Sequence, residues 1–219
     1  MIPTKQPRRA LLFGLLAAVL AGGCATATSA PSTPPKPARV PAGKEVATFA
    51  AGCFWSMEAI FKQLKGVETV EPGYAGGKLA DPSYEQVETG TTGHAESVNI
   101  IFDPKVISYR DLLRVLLTVR DPTTLNRQGP DEGPQYRSII FYHNEQQRRI
   151  AQEMIQKITA EHLWPNPIVT TVTPFTNFYR AEDYHLDYYR RHPDEGYCRF
   201  VIAPEIATFR QKFRAKLKN

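Results

Sequence analysis

From Val46 onward, short apolar runs alternate with segments whose apolar residues recur every three or four positions. Strands and helices interleaved in one domain are the expected outcome of such a pattern. Residues 46–51 read as a strand, and Met57, Ile60, Phe61 and Leu64 then share a helical face, so the chain passes from strand to helix at Gly52-Cys53. Residues 67–74 form a second predicted strand, followed by the loop Ala75-Gly76-Gly77, and residues 95–102 a third, ended by Asp103-Pro104. Ser108 and Asp111 make a capping-box pair ahead of a helix carrying Leu112, Leu113, Val115, Leu116 and Val119. Residues 137–142 read as a strand. Asn144 with Gln147 then opens a helix on which Ile150, Met154, Ile155 and Ile158 lie together, and residues 168–173 return as a strand. Pro204 opens a last helix, with Ile206, Phe209, Phe213 and Leu217 turned inward. The sum is a mixed, two-layer domain of sheet and helices with no internal repeat.

The first 43 residues follow a different pattern. Lys5, Arg8 and Arg9 precede the apolar stretch 11–20, which is too short to span a bilayer as a helix and reads as a signal peptide over residues 1–23. Leu20-Ala21-Gly22-Gly23-Cys24 resembles the lipobox of bacterial lipoproteins, which implies lipidation of Cys24 as the first mature residue. Ala25-Thr26-Ala27 offers a competing cleavage site, and with it plain secretion. Residues 24–43 are rich in Ala, Pro, Ser and Thr with almost no large apolar groups, the composition of a disordered tether ahead of a folded domain at 44–219. The expected location is therefore outside the cytoplasm, in the bacterial periplasm or anchored to a membrane by lipid.

Charge adds little. The formal net charge is +5, from 27 basic and 22 acidic residues, and three of the cations lie in the leader. No basic stripe interleaved with aromatics occurs in the domain, which argues against nucleic-acid binding. With three cysteines, Cys24, Cys53 and Cys198, the fold is not a disulfide-stapled scaffold.

Cys53 carries the candidate chemistry. A thiol at a helix N-terminus faces free backbone N–H groups, which favour the thiolate and predict a lowered pKa. The alternative is a small, inert core cysteine. Three further segments decide between them: Pro82-Ser83-Tyr84-Glu85-Gln86-Val87, Thr92-Gly93-His94-Ala95-Glu96 and Asp131-Glu132-Gly133-Pro134-Gln135-Tyr136-Arg137-Ser138. With Gly52-Cys53-Phe54-Trp55 in front, their order and wording closely resemble methionine sulfoxide reductase A. The resemblance runs from about Val46 to the end of the chain and takes in Gly73-Tyr74-Ala75-Gly76-Gly77 and Glu182-Asp183-Tyr184-His185.

This resemblance implies reduction of methionine S-sulfoxide, free or in proteins, and hence repair of oxidised proteins. Cys53 would attack the sulfoxide sulfur and be left as a sulfenic acid, and Phe54 and Trp55 would form the wall that receives the substrate methyl group. Glu96 matches the essential acid, and Tyr84 and Tyr136 the phenols that hold the sulfoxide oxygen. Chemistry agrees, because that oxygen leaves badly until acid and O–H donors stabilise the charge developing on it. Asp131, His185 and Tyr188 fall where the family places further pocket residues. Cys198, in Gly196-Tyr197-Cys198, matches the recycling cysteine, implying a Cys53–Cys198 disulfide that an external thioredoxin-like dithiol reopens, and Pro193 and Gly196 around it suggest a loop mobile enough to reach the site. No bound cofactor is implied, and a monomer is expected. The chain departs from certain relatives in carrying Glu88 where they have a cysteine, in lacking a second recycling cysteine, and at Arg120, Pro130 and Pro134.

The fold expected is α+β, a two-layer α/β sandwich around a mixed, mainly antiparallel sheet with a ferredoxin-like core. His94, His185, Asp183 and Glu96 match no zinc template, so no metal site is expected. Two other readings stay open: a thiol peroxidase acting through Cys53, and a tethered lipoprotein that binds methionine through Phe54, Trp55 and the tyrosines.

Overall fold

The computed structural model describes residues 40–218, so the signal-peptide, Cys24 and most of the tether expectations lie outside the described residues. The chain runs β1 (Glu45–Ala50), α1 (Phe54–Phe61), β2 (Val67–Ala75), α2 (Tyr84–Glu88), β3 (Ala95–Phe102) and α3 (Tyr109–Val119). A two-strand ribbon, β4 (Arg127–Gln128) with β5 (Asp131–Glu132), precedes β6 (Ile139–Tyr142) and the long α4 (Glu145–Ala160). β7 (Thr171–Pro174), β8 (Phe178–Arg180), the short α5 (Tyr188–Arg191) and α6 (Ala203–Lys212) complete it.

Six strands form one sheet in the order β7-β6-β1-β3-β2-β8. Its inner four, β6-β1-β3-β2, are antiparallel throughout and belong to the succession β1-α1-β2-β3-α3-β6, the split β-α-β arrangement of a ferredoxin-like core. β7 adds in parallel beside β6 and β8 antiparallel beside β2, which makes the sheet mixed.

Alternation along the strands separates the two faces. Phe49 of β1, Val70 of β2, Val98, Ile100 and Phe102 of β3 and Ile140 of β6 point into the main core, with Phe54, Met57, Ile60 and Phe61 of α1 and Leu112, Leu113 and Leu116 of α3. Ala50, Ala75, Ala95, Ile139 and Phe141 form a second, smaller cluster, with Phe175 and Phe178 packed against it. β3 is consequently buried along its whole length. Glu96 continues the alternating row of Val98, Ile100 and Phe102, and this places a carboxyl at the end of the helix-covered face.

Two predicted helices end early for a shared reason. α1 stops at Phe61 and not Leu64, and α6 at Lys212, short of Phe213 and Leu217. Leu64 pairs with Leu217 in an isolated bridge, while Lys65 N–H donates to the Lys216 carbonyl and Lys218 N–H to that of Gln63. The backbone groups that would have continued each helix bond the other segment instead. α2, β8 and α5, of five, three and four residues, lie below the length at which periodicity is readable.

α3 starts as the capping box predicts. The Asp111 N–H donates to Ser108 Oγ at 3.1 Å, and the Ser108 N–H to Asp111 Oδ2 at 3.2 Å. Ser108→Ala is expected to lower the unfolding free energy by about 1 kcal/mol, read from the midpoint of a urea transition at unchanged slope.

Candidate active site

Three consecutive amides at the start of α1 organise the site. Gly52 holds a left-handed conformation (φ +78°), and a side chain there would meet Arg120 and Gln128 at 2.5 Å, so only glycine fits the turn. The turn is fixed by the Gly52 N–H, which donates to the Tyr136 carbonyl at 3.1 Å. Just past it, the Phe54 N–H donates to Glu96 Oε2 at 2.8 Å, and the Trp55 and Ser56 N–H groups face the Cys53 sulfur. These are the donors a helix leaves without internal partners, here taken by a carboxyl and a thiol.

Around that turn Cys53, Trp55, Tyr84, Glu96, Asp131, Tyr136 and Tyr197 line one pocket. Residues separated by more than 140 positions along the chain thus converge. Glu96 is 2% exposed and Cys53 5% exposed, so both ionisable groups are out of water. Burial pushes the Glu96 carboxyl well above its ordinary pKa; the Phe54 amide opposes that, and the carboxylates of Glu88 and Asp131 reinforce it. The site therefore favours the protonated, acid form of Glu96.

The lowered pKa expected for Cys53 is not what this site produces. Burial drives the thiol well above its ordinary value, and the charges of Glu96 and Asp131 push it further, outweighing the Trp55 and Ser56 amides. The helix N-terminus acts in the predicted direction, but desolvation and neighbouring acids win.

Phenols occupy the opposite wall. Tyr84 opens α2, behind Ser83, whose hydroxyl accepts from Gln86. The Tyr84 N–H donates to Glu182 Oε1 at 2.9 Å, and Tyr74 O–H donates to Oε2 of the same carboxyl at 2.8 Å. Tyr136 O–H donates to Glu88 Oε2 at 3.0 Å. Burial first, and nearby carboxylates second, raise the pKa of both pocket tyrosines, so each keeps its hydrogen to donate.

The aromatic wall divides. Trp55 lines the pocket, whereas Phe54 is 1% exposed and packs inward against Tyr74, contributing its amide to Glu96. His185 and Tyr188 stand behind Trp55. The indole N–H donates to His185 Nδ1 at 3.0 Å, and the Tyr188 ring stacks on the indole at 3.8 Å. Burial lowers the His185 pKa to about 4, so its ring is neutral; accepting at Nδ1 puts its hydrogen on Nε2. Asp131 reaches the pocket from β5 and accepts from Tyr197 O–H at 2.5 Å.

Tyr197 is the wall residue that sequence reasoning missed, although it stands next to Cys198 in Gly196-Tyr197-Cys198. Cys198 itself does not line the pocket. In place of the mobile loop expected, it begins a π-helical turn (Cys198–Ile202) continuous with α6 and is fully buried, with a pKa raised by that burial and by Glu195. Both Cys53 and Cys198 are free thiols.

A second missed residue supports the turn from below. Arg120, at the end of α3 and 2% exposed, donates from Nε to the Ala51 carbonyl at 2.8 Å and from Nη1 to Ser56 Oγ at 3.1 Å, and it pairs with Glu205 of α6. A lone arginine in the sequence carries no sign of this role.

Comparison with known proteins converges on one family. The family model described as peptide methionine sulfoxide reductase matches residues 45–217. A peptide methionine sulfoxide reductase MsrA of Thermus thermophilus is 54% identical over 175 residues, covering 80% of this chain and 98% of that protein. The MsrA of Saccharolobus solfataricus is 53% identical over 174 residues, covering 80% and 97%. Among solved structures, reduced Mxr1 from Saccharomyces cerevisiae superposes with a TM-score of 0.68 at 36% identity, covering 72% of this chain and 91% of that one. With the thiol, buried acid and phenols meeting in one pocket, the chain belongs to the peptide methionine sulfoxide reductase family, in its MsrA branch.

Proposed function

We propose that the pocket reduces methionine S-sulfoxide, free or in proteins, with Cys53 as nucleophile, and so repairs oxidised proteins. The observation that carries this reading is that a buried acid of raised pKa and two phenols line one pocket with a thiol and Trp55. The sulfoxide oxygen lies among Glu96, Tyr84 and Tyr136, the methyl group lies against Trp55, and the sulfur faces Cys53. Glu96 hydrogen-bonds and then protonates the oxygen as Cys53 attacks, and the thiol proton returns to the Glu96 carboxylate. Carboxylates that disfavour a thiolate favour the positive charge that builds on the attacked sulfur, so the high thiol pKa and the acid serve one transition state.

The net step moves oxygen from substrate to enzyme: sulfoxide and Cys53 thiol become methionine and Cys53 sulfenic acid. The Cys198 thiol then displaces that oxygen as water, forming a Cys53–Cys198 disulfide, and a thioredoxin-like dithiol reduces it by exchange. Because Cys198 is buried in a turn while Tyr197 lines the pocket, closing the disulfide requires the turn to unwind and Tyr197 to leave. No bound cofactor enters this cycle, and the domain at 44–219 acts as a monomer. The leader supports export, with lipidation of Cys24 and residues 24–43 as a tether holding the domain off a membrane.

The test is reaction of the pre-reduced full chain with separate S and R epimers of a blocked methionine sulfoxide. Methionine from the S epimer alone, with two thiols lost per turnover, is expected; Cys198→Ser should still give one methionine, and Cys53→Ser none. No product from either epimer would overturn the reading and favour a binding role.

Glu96 gives a second prediction. Its pKa is higher folded than unfolded, so its contribution to stability is complete below the unfolded value of about 4.3 and is lost as pH rises toward the folded value. Glu96→Gln, a neutral isostere, should be more stable than wild type near pH 8, with the gap closing below about pH 4. The same variant should lose about 100-fold or more in turnover. Chemical denaturation at the two pH values and single-turnover assays check both halves.

A further inference from the structure

Glu88 ends α2 and lies behind the pocket wall, half-buried, touching the site through Tyr136. The Tyr136 phenol donates its only hydrogen to Glu88 Oε2 at 3.0 Å, while Oε1 of the same carboxyl is buried with no hydrogen-bond partner. The main chain there is held from the Tyr136 side too, because Gln135 Nε2 donates to the Glu88 carbonyl at 3.4 Å. Among the described residues no lysine or arginine pairs with this carboxyl. Arg137, next to Tyr136 in the chain, spends its guanidinium on the carbonyls of Gly93, His94 and Pro134. The titratable groups that face Glu88 are Tyr84 of its own helix, Glu96 of β3 and Tyr136.

One hydroxyl hydrogen cannot serve two acceptors. In the structure that hydrogen goes to Glu88, so the carboxyl fixes the position and rotation of the phenol at the oxygen end of the pocket, and the hydrogen turns to a sulfoxide oxygen when one is bound.

We propose that Glu88 is a positioning residue for the reduction, accepting from Tyr136 and so holding that phenol at the oxygen end of the pocket, ready for the sulfoxide. This rests on the reductase reading above and adds to it a carboxyl that never touches the substrate.

The test is steady-state reduction of a blocked methionine S-sulfoxide by the full chain, with dithiothreitol as reductant. Glu88→Ala, and Glu88→Leu as a variant that keeps side-chain bulk on α2, should each lower kcat about tenfold with KM changed less than about twofold. Glu88→Gln, whose amide oxygen can still accept from the phenol, should stay within about threefold of wild type. In a Tyr136→Phe background, Glu88→Ala should cost less than about twofold more, because the loss is already taken. Wild-type kcat in Glu88→Ala and Glu88→Leu, a Gln variant as impaired as Ala, or losses that multiply in the double variant would each overturn the proposal. A wild-type chain that forms no methionine overturns instead the reductase reading beneath it.

Discussion

One hydrogen bond organises this molecule: the Phe54 amide donating to the buried carboxyl of Glu96. It joins the first free N–H of α1 to the end of the core row on β3, two elements that carry the nucleophile and the acid respectively. Burying a charged carboxyl without partners costs several kcal/mol, and one amide offsets only part of that, so the protonated form is favoured. The raised carboxyl pKa is thus a consequence of where the strand row runs out. Moving Glu96 by one residue would flip it to the opposite face of the sheet, because the side-chain period of a strand is two.

The turn that presents Cys53 needs comparable support, and it comes from a buried cation. Arg120 reaches under Gly52 to the Ala51 carbonyl and to Ser56, and its charge is met by Glu205 at the start of α6. Its field also stabilises the anionic forms of Glu96 and Asp131, moderating the rise that burial imposes on both. α3, the nucleophile turn and α6 are therefore bound through one guanidinium. Removing one partner of such a pair leaves the other charge buried and uncompensated, so Arg120 and Glu205 are to be read together.

What could be read from the sequence follows the range of the forces involved. β3 occupies residues 95–102 as predicted, because a strand buried on both faces writes its burial into local composition. α3 begins at its capping box, because the box is complete within four residues. Cys53, Glu96, Tyr84, Asp131 and Tyr136 converge, as the resemblance implied. The thiol pKa was misjudged because the helix amides are local, while the burial and the carboxylates that outweigh them come from β3 and β5. The orientation of Trp55 depends on His185, 130 residues away, and no period reports that contact. Tyr197 and Arg120 were illegible alike: each looks like an ordinary residue until Asp131 and Glu205 are placed beside it.

The arrangement of the two thiols follows from the same balance. A thiolate at Cys53 would react with any oxidant that reached it, whereas a thiol raised in pKa by burial and acids is unreactive until something draws electrons toward the pocket. A sulfoxide bound through its oxygen to Glu96 and the tyrosines does this, since donating to the oxygen makes the sulfur electrophilic. Cys198 sits in a closed π-helical turn outside the pocket lining, while Tyr197 occupies the wall and is tied to Asp131.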